Sequence, residues 1–191
     1  MLTHTRCQFD NIHREHAYWA LDIGTDLSIL LLDSNHTTDV AGAQTEWLEN
    51  ALAERADRDH LLTISHIPAY PCAKPIEGEE RGDIRQHWTP LFEEYNVDAV
   101  FEHDDHAYKR THRLQNGETD SDDGVLYLGD GAWGKDPRDV YSSAERPYLK
   151  VSESTRYILR TEISPDGSRQ FQAVGSSGET IDHFDGSGTS L

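Results

Sequence analysis

Two polar segments of this sequence follow apolar runs and carry residue types that bind divalent metal ions. The run Leu61–Ile64 leads into Ser65 and His66, and the run 97–101 leads into the acidic, His-containing segment 102–106. Carboxylates and imidazoles are common protein ligands of divalent ions. In open α/β sheets, ligands bind beyond the carboxyl ends of the strands. We therefore predict that the two segments meet at a divalent-metal site.

Each segment also has a structural explanation that involves no ligand. A single His after a strand, such as His66, is more often a loop residue than a metal ligand, and Asp104-Asp105 alone is typical of a solvated turn. Metal binding is favoured because the two segments end equivalent strands. Asp33 and His36 end a further apolar run, and we expect both to make structural loop contacts.

The elements that must position these residues alternate in the first half of the chain. Bulky and apolar patterns predict strands at 18–23, 27–32, 61–65 and 97–101, and apolar stripes at helical spacing predict helices at 44–56 and 84–95. The order strand, helix, strand, helix, strand favours an α/β layer with crossover helices.

Helical patterns are missing after Tyr108. Strands are predicted at 108–114, 125–128, 157–163, 169–174 and 181–184, with turns such as Asn116-Gly117 between them. The fold class is therefore α/β, arranged as an α+β sandwich. Residues 185–191 are rich in Gly and Ser and are expected to form a disordered tail after one unit that spans 1–184.

Several segments resemble the sparse sequence blocks of the calcineurin-like metallophosphoesterases. Residues 61–68 resemble the block that carries a single His after a strand. Residues 100–110 resemble the purple-acid-phosphatase form of the His-x-His block, in which Tyr and Arg follow the last His. Residues 32–48 and 124–131 resemble the preceding strand and helix and the following strand with its glycine turn, where Asp130 is expected to be structural.

The earlier blocks of that superfamily do not occur in this sequence. They are an Asp-x-His block, a Gly-Asp block and a Gly-Asn-His block that holds the catalytic His. The resemblance therefore implies the C-terminal part of a metallophosphoesterase, half of its β-sandwich with flanking helices, without the N-terminal strands. A missing N-terminal half is the partner that this interpretation implies.

The resemblance also implies roles for individual residues. His66 and Asp104 would serve a second metal ion and His106 the first, with Asp104 standing where the superfamily has His, while His103 and Asp105 turn away. The ions would be Mn, Fe, Zn or Mg, and a two-metal-activated water would hydrolyse a phosphorylated small molecule or another phosphoester. No catalytic residue is assigned, and this chain alone is expected to be weak or inactive.

Two other interpretations remain open. In the first, the chain is a catalytically degenerate, truncated phosphatase-like module with a binding or structural role, which the absence of the early blocks favours. In the second, it is a cupin-like metal-binding barrel, which the 11 histidines suit but the predicted helices do not.

Composition excludes several classes of partner. The net charge is -18 and the basic residues form no concentrated patch, which argues against nucleic-acid binding. Residues 1–16 are polar and predict no signal peptide, and no apolar run is long enough to span a membrane. Nothing in the sequence assigns a compartment. Cys7 and Cys72 could form one disulfide but are too few for a disulfide framework.

The acidic surface generates a prediction about salt. Excess Asp with only four lysines suits a salt-rich milieu, and an ordinary acidic surface is the alternative. If the charge is a halophilic adaptation, the melting temperature should rise steeply between low salt and about 1 M, where the Debye length falls to about 3 Å and self-repulsion is screened. Calorimetry at increasing KCl measures this, and a melting temperature indifferent to salt would make the acidic surface incidental.

Overall fold

The computed structural model describes residues 7–10, for which only the backbone is given, and residues 16–34, 36–119, 123–129, 131–164 and 166–191. Asp130 lies outside these residues. The strands are β1 (Cys7–Asp10), β2 (Trp19–Ile23), β3 (Leu27–Leu31), β4 (His60–Ser65), β5 (Ala99–Glu102), β6 (Tyr108–Thr111), β7 (Leu114–Gln115), β8 (Glu118–Thr119), β9 (Leu126–Gly129), β10 (Leu149–Glu153), β11 (Tyr157–Ile163), β12 (Arg169–Gly175) and β13 (Thr180–Asp185), and the helices are α1 (Ala43–Ala53), α2 (Glu79–His87) and α3 (Thr89–Glu94).

An eight-stranded mixed sheet forms the centre of the fold, in the order β1-β2-β3-β4-β5-β9-β6-β10. Strands β3, β4, β5 and β9 are parallel, and the strands outside them pair antiparallel. The β2–β3 hairpin turns at Gly24, whose φ of 67° is easily adopted by a residue without Cβ. Parallel strands require crossovers: α1 connects β3 to β4, α2 and α3 connect β4 to β5, and the chain passes through β6, β7 and β8 between β5 and β9. The carboxyl ends of β3, β4 and β5 therefore lie at one edge of the sheet.

The helices and the sheet share a core that contains the apolar faces of α1, α2 and α3. This core includes Leu48, Leu52, Ile84, Trp88 and Phe92. One helix was predicted over 84–95, whereas the structure has two that meet at Trp88. The reason is Pro90, which has no N–H for a continuous helix and suits the first turn of a new one.

A three-stranded antiparallel sheet, β11-β12-β13, packs on another part of the central sheet. Phe171 and Phe184 from this small sheet pack with Leu62 and Leu128 from the central sheet. The prediction of an α/β first part followed by strands is confirmed, since no helix follows Tyr108 among the described residues. Strands β1 and β10 at the sheet edges were missed, because their short sequences lack a clear alternating pattern.

A buried ion network ties the two sheets together and holds the C-terminal segment. The Arg110 guanidinium is 1% exposed and donates to Asp182 at 2.7 Å, and the hydroxyl of Tyr108 donates to the same carboxylate at 2.6 Å. Arg110 also donates to the carbonyl of Gly188 at 2.6 Å. The prediction of a disordered tail over 185–191 differs from the structure, because this segment satisfies a buried guanidinium.

A second buried network lies directly under the carboxyl ends of β4 and β5. The side chains of Glu102 and Lys109 are 1% and 0% exposed and form an ion pair. Glu102 Oε1 accepts the backbone N–H of Ala69 at 2.6 Å, and Lys109 Nζ donates to the carbonyl of Tyr70. Burial raises the pKa of Glu102 and the charge of Lys109 opposes that shift. The pair therefore fixes the loop that follows β4 to the strand end of β5.

This network predicts a large loss of stability when one partner is removed. Lys109→Met leaves the buried Glu102 carboxylate without its counter-charge, so the free energy of unfolding should fall by about 3–5 kcal/mol. The double variant Glu102→Gln/Lys109→Met should recover most of that loss. Urea denaturation measures both, with the exposed Glu162→Gln as a control expected to change stability by less than about 0.5 kcal/mol. A Lys109→Met protein as stable as the control would contradict the structural role.

Candidate functional site

The loops after β4 and β5 bring His66 and Asp104 together. The backbone N–H groups of His103 and Asp104 donate to the carbonyl of His66 at 3.0 and 2.9 Å. The His66 Nε2 atom then lies 3.6 Å from Asp104 Oδ1. The loop after β3 joins this arrangement, because the N–H of Ile67 donates to the hydroxyl of Ser34 at 2.8 Å. Three adjacent strand ends thus position one polar centre.

Two permanent cations also contact Asp104. Lys74 Nζ donates to Oδ2, and Arg81 Nη2 lies 3.4 Å from the same oxygen. The guanidinium of Arg138 donates to the Asp104 carbonyl at 2.5 Å. Burial would raise the pKa of Asp104, but the hydrogen bond and charge of Lys74, with His66 and Arg138, hold that pKa below its ordinary value. The carboxylate is therefore ionised and already paired with positive charge.

His106 does not join His66 and Asp104 in a ligand group. Within the described ranges, no three His, Cys, Asp or Glu side chains are arranged to hold a metal ion. The predicted convergence assumed an extended loop, in which residues two apart point the same way. The chain instead turns at 104–105, and His106 adopts a left-handed φ of 52°. The structure brings His66 and Asp104 into contact, and His106 lies near enough for the charge of Asp104 to oppose the lowering of its pKa by burial.

His103 and Asp105 turn to other partners, as predicted. His103 Nδ1 lies 2.8 Å from the carbonyl of Ser65. The Asp105 carboxylate accepts the backbone N–H groups of Cys72 and Ala73, the latter at 2.9 Å. Asp105 therefore holds the loop that presents Lys74. Cys72 is a free, buried thiol whose pKa burial raises to about 12.

Asp33 and His36 complete the β3 side of the centre. The Asp33 carboxylate accepts the N–H groups of His36 and Thr37, each at 2.8 Å, which confirms its structural role. The His36 ring stands edge-on to the His66 ring, with 5.1 Å between their centroids. A cavity of about 300 Å³ borders both rings and is also lined by Ala17, Leu32, Asp33 and Ser34.

Sequence reasoning missed the cations of this centre. Lys74 lies in a loop between two prolines and Arg81 lies on a short helix, and neither belongs to a recognisable motif. The available signal was compositional, since Lys74 is one of four lysines in a chain with 35 acidic residues. That scarcity marks Lys74 as unusual but does not reveal which carboxylate it meets.

The arrangement fits a divalent-metal centre only in part. Burial lowers the pKa of His66, although Asp104 opposes the shift, and burial with the charge of Arg138 lowers the pKa of His106. Both shifts favour the neutral imidazole that a metal requires. Asp104, however, is engaged by Lys74, whose ammonium would repel a dication at that oxygen. As arranged, these residues do not fit a two-metal centre.

Comparisons with known proteins identify the type of fold. No family model matches the chain. The uncharacterized protein Rv2577 of Mycobacterium tuberculosis is 36% identical over 77 residues, which is 39% of this chain and 14% of that protein. Purple acid phosphatase 18 of Arabidopsis thaliana is 31% identical over 120 residues, which is 60% of this chain and 26% of that protein. The chain thus spans about a quarter or less of the length of these curated relatives.

Solved structures agree with the sequence relatives. The purple acid phosphatase PPD1 of yellow lupin has a TM-score of 0.74 at 17% identity, covering 91% of this chain and 33% of that one. PhoD has a TM-score of 0.70 at 13% identity, covering 89% and 42%. GAP50, described as the anchor in the inner membrane complex of Plasmodium, has a TM-score of 0.66 at 13% identity, covering 96% and 54%.

The chain therefore has the mixed α/β fold of the C-terminal part of a metallophosphoesterase. It is similar to the purple acid phosphatases and PhoD. Over the described part of the chain, no helix combines the length and apolar character needed to cross a bilayer.

The pairing of Asp104 with Lys74 predicts a titration difference. The pKa of Asp104 is held below its ordinary value of 3.8, so the pair stabilises the fold above that pH, and the contribution is lost as pH falls through the lower, folded-state pKa. In Lys74→Met the Asp104 carboxyl should titrate at a higher pH than in the wild type. Carbon-detected NMR of the Asp side chains measures this, with Lys150→Met as the control. An unchanged Asp104 titration would contradict the pairing.

Proposed function

We propose that this chain is the C-terminal part of a phosphoester hydrolase and that its strand-end centre binds the phosphoester. The observation that carries the proposal is the contact of His66 with Asp104 at the carboxyl ends of adjacent parallel strands. The similarity to purple acid phosphatases and PhoD supports the choice of substrate class. The substrate is a phosphorylated small molecule or another phosphoester.

The metal chemistry belongs to the whole protein in this proposal. His66, Asp104 and His106 stay the predicted contributors to a centre of divalent ions such as Mn, Fe, Zn or Mg. Such a centre would supply an activated water in the family, but it needs ligands from outside this chain and the release of Asp104 from Lys74. The isolated chain is therefore expected to bind phosphoesters and to hydrolyse them poorly.

One observation favours a second candidate function. Lys74 and Arg81 neutralise the carboxylate that stands in the position of a metal ligand, as expected for a module that binds but does not hydrolyse. GAP50, which has a similar fold, is described as the anchor in the inner membrane complex of Plasmodium. A catalytically degenerate binding module is accordingly the alternative.

The isolated chain tests the proposal with p-nitrophenyl phosphate and added Mn²⁺. We expect ligand-observed NMR to detect binding, and hydrolysis at least about 100-fold slower than by an intact phosphatase of this fold, because the reacting groups are not held in a complete, rigid clamp. His66→Ala should weaken binding. The matched control is His183→Ala, on the separate three-stranded sheet.

Two results would contradict parts of this proposal. Rapid Mn²⁺-dependent turnover that disappears in His66→Ala would show that the chain is a complete enzyme. No detectable binding of p-nitrophenyl phosphate, or equal binding by both His variants, would remove the phosphoester centre from the β4 and β5 strand ends.

A further inference from the structure

We propose that Lys74 and Arg81 take the place of a divalent ion at Asp104 and bind a phosphate group without metal. The inference rests on the proposed phosphoester specificity but not on hydrolysis. The ligand class is the phosphate dianion or monoanion, free or as a monoester. In this centre the positive charge that contacts phosphate would come from the side chains of Lys74 and Arg81 and not from a bound metal ion.

Lys74 is held in position from two sides. Its backbone carbonyl accepts a hydrogen bond from Arg146 Nη2 at 2.7 Å, and the preceding residue, Ala73, donates its N–H to Asp105 at 2.9 Å. The side chain is 31% exposed, and Asp104 is its hydrogen-bond partner in the described part of the chain. An ammonium group has three donors, so Lys74 can contact Asp104 and still donate to a ligand from solvent.

Arg81 supports Lys74 from helix α2. Its side chain is 12% exposed and reaches Asp104 Oδ2 at 3.4 Å through Nη2. Its Nε is buried and has no hydrogen-bond partner among the described residues. A buried guanidinium N–H without an acceptor is costly, and phosphate is the acceptor that a planar guanidinium fits best. This orphaned donor is independent of the contact between Lys74 and Asp104.

The charge balance at the centre favours an anion over a dication. One carboxylate, Asp104, faces the two permanent cations Lys74 and Arg81, and a third cation, Arg138, bonds to its backbone carbonyl. At Asp104 Oδ2 an entering dication would meet two cations against one carboxylate, whereas a phosphate would be attracted to both cations.

Substitution of Asp104 should change phosphate affinity in opposite directions with and without a metal ion. If a phosphate binds against Lys74, the adjacent carboxylate repels it, and Asp104→Asn should tighten phosphate binding. If instead a metal ion mediates phosphate binding, the same change removes a ligand and should weaken it. The two models therefore predict opposite effects for one substitution.

Calorimetric titration of the full chain with inorganic phosphate, in buffer containing EDTA, tests the proposal. We expect the wild type to bind, Lys74→Met and Arg81→Met to bind at least about tenfold more weakly, and Asp104→Asn to bind more tightly. Lys74→Arg should retain binding, which separates charge from packing. Lys150→Met is the matched control, because that exposed Lys donates to the carbonyl of Gly188 away from the centre.

A second titration, with Mn²⁺ in place of EDTA, separates this inference from the proposed function. We expect Mn²⁺ to leave the phosphate affinity of the wild type unchanged. We also expect Mn²⁺ itself to bind more tightly to Lys74→Met than to the wild type. Phosphate binding that requires Mn²⁺ would overturn the inference while supporting a metal-dependent phosphoesterase centre. Phosphate affinity unaffected by both Lys74→Met and Arg81→Met would also overturn it.

Discussion

The buried ion pair of Glu102 and Lys109 is the interaction on which the polar centre depends. Glu102 is the last residue of β5, and through its second oxygen it holds the backbone of Ala69, while Lys109 holds the carbonyl of Tyr70. Burying two charges is costly unless they satisfy each other and nearby backbone groups, as these two do. The loop after β4 therefore has one position relative to β5. His66 and Lys74 lie on either side of this fixed backbone, so the ion pair also fixes their positions.

Buried ion pairs also join elements at two other places in this fold. Asp22 accepts two hydrogen bonds from the Arg55 guanidinium, and this contact joins the end of α1 to the β2–β3 hairpin. Arg110 and Asp182 join the central sheet to the small sheet. A chain with a large acidic excess thus uses Arg55 and Arg110 as internal connectors.

The polar centre shows how a carboxylate at a strand end can be paired by cations of the chain itself. Strand ends β3, β4 and β5 still bring imidazoles and a carboxylate to one edge of the sheet. The residue at 104 is a carboxylate, and a carboxylate attracts whichever cation is nearest and most permanent. Lys74 and Arg81 are covalently attached to the chain, so they have a high effective concentration at Asp104, which free metal ions lack. In the proposal made above, this fixed charge would compete with a metal ion for the same oxygen.

Much of the architecture could be predicted from the sequence, because periodicity records which face of an element is buried. Strand β11 has the predicted bounds, and the change from alternating elements to strands occurs where predicted. The proximity of His66 and Asp104 was also predictable, because β4 and β5 are consecutive parallel strands joined by a crossover. Edge strands such as β1 and β10 could not be predicted, because the sequence of a short edge strand has too few alternating residues to distinguish it from a loop.

Only the tertiary structure decided what surrounds Asp104. Lys74 and Arg81 lie 30 and 23 residues away in sequence and reach the carboxylate from a loop and a helix. No local pattern records a contact between separate elements. His106 shows the converse, since its spacing from Asp104 suggested a shared direction that a turn at 104–105 removed. The sequence determined the sheet and the strand ends at which His66 and Asp104 meet. The packing of a loop and of helix α2, both distant in sequence, determined which cations surround Asp104.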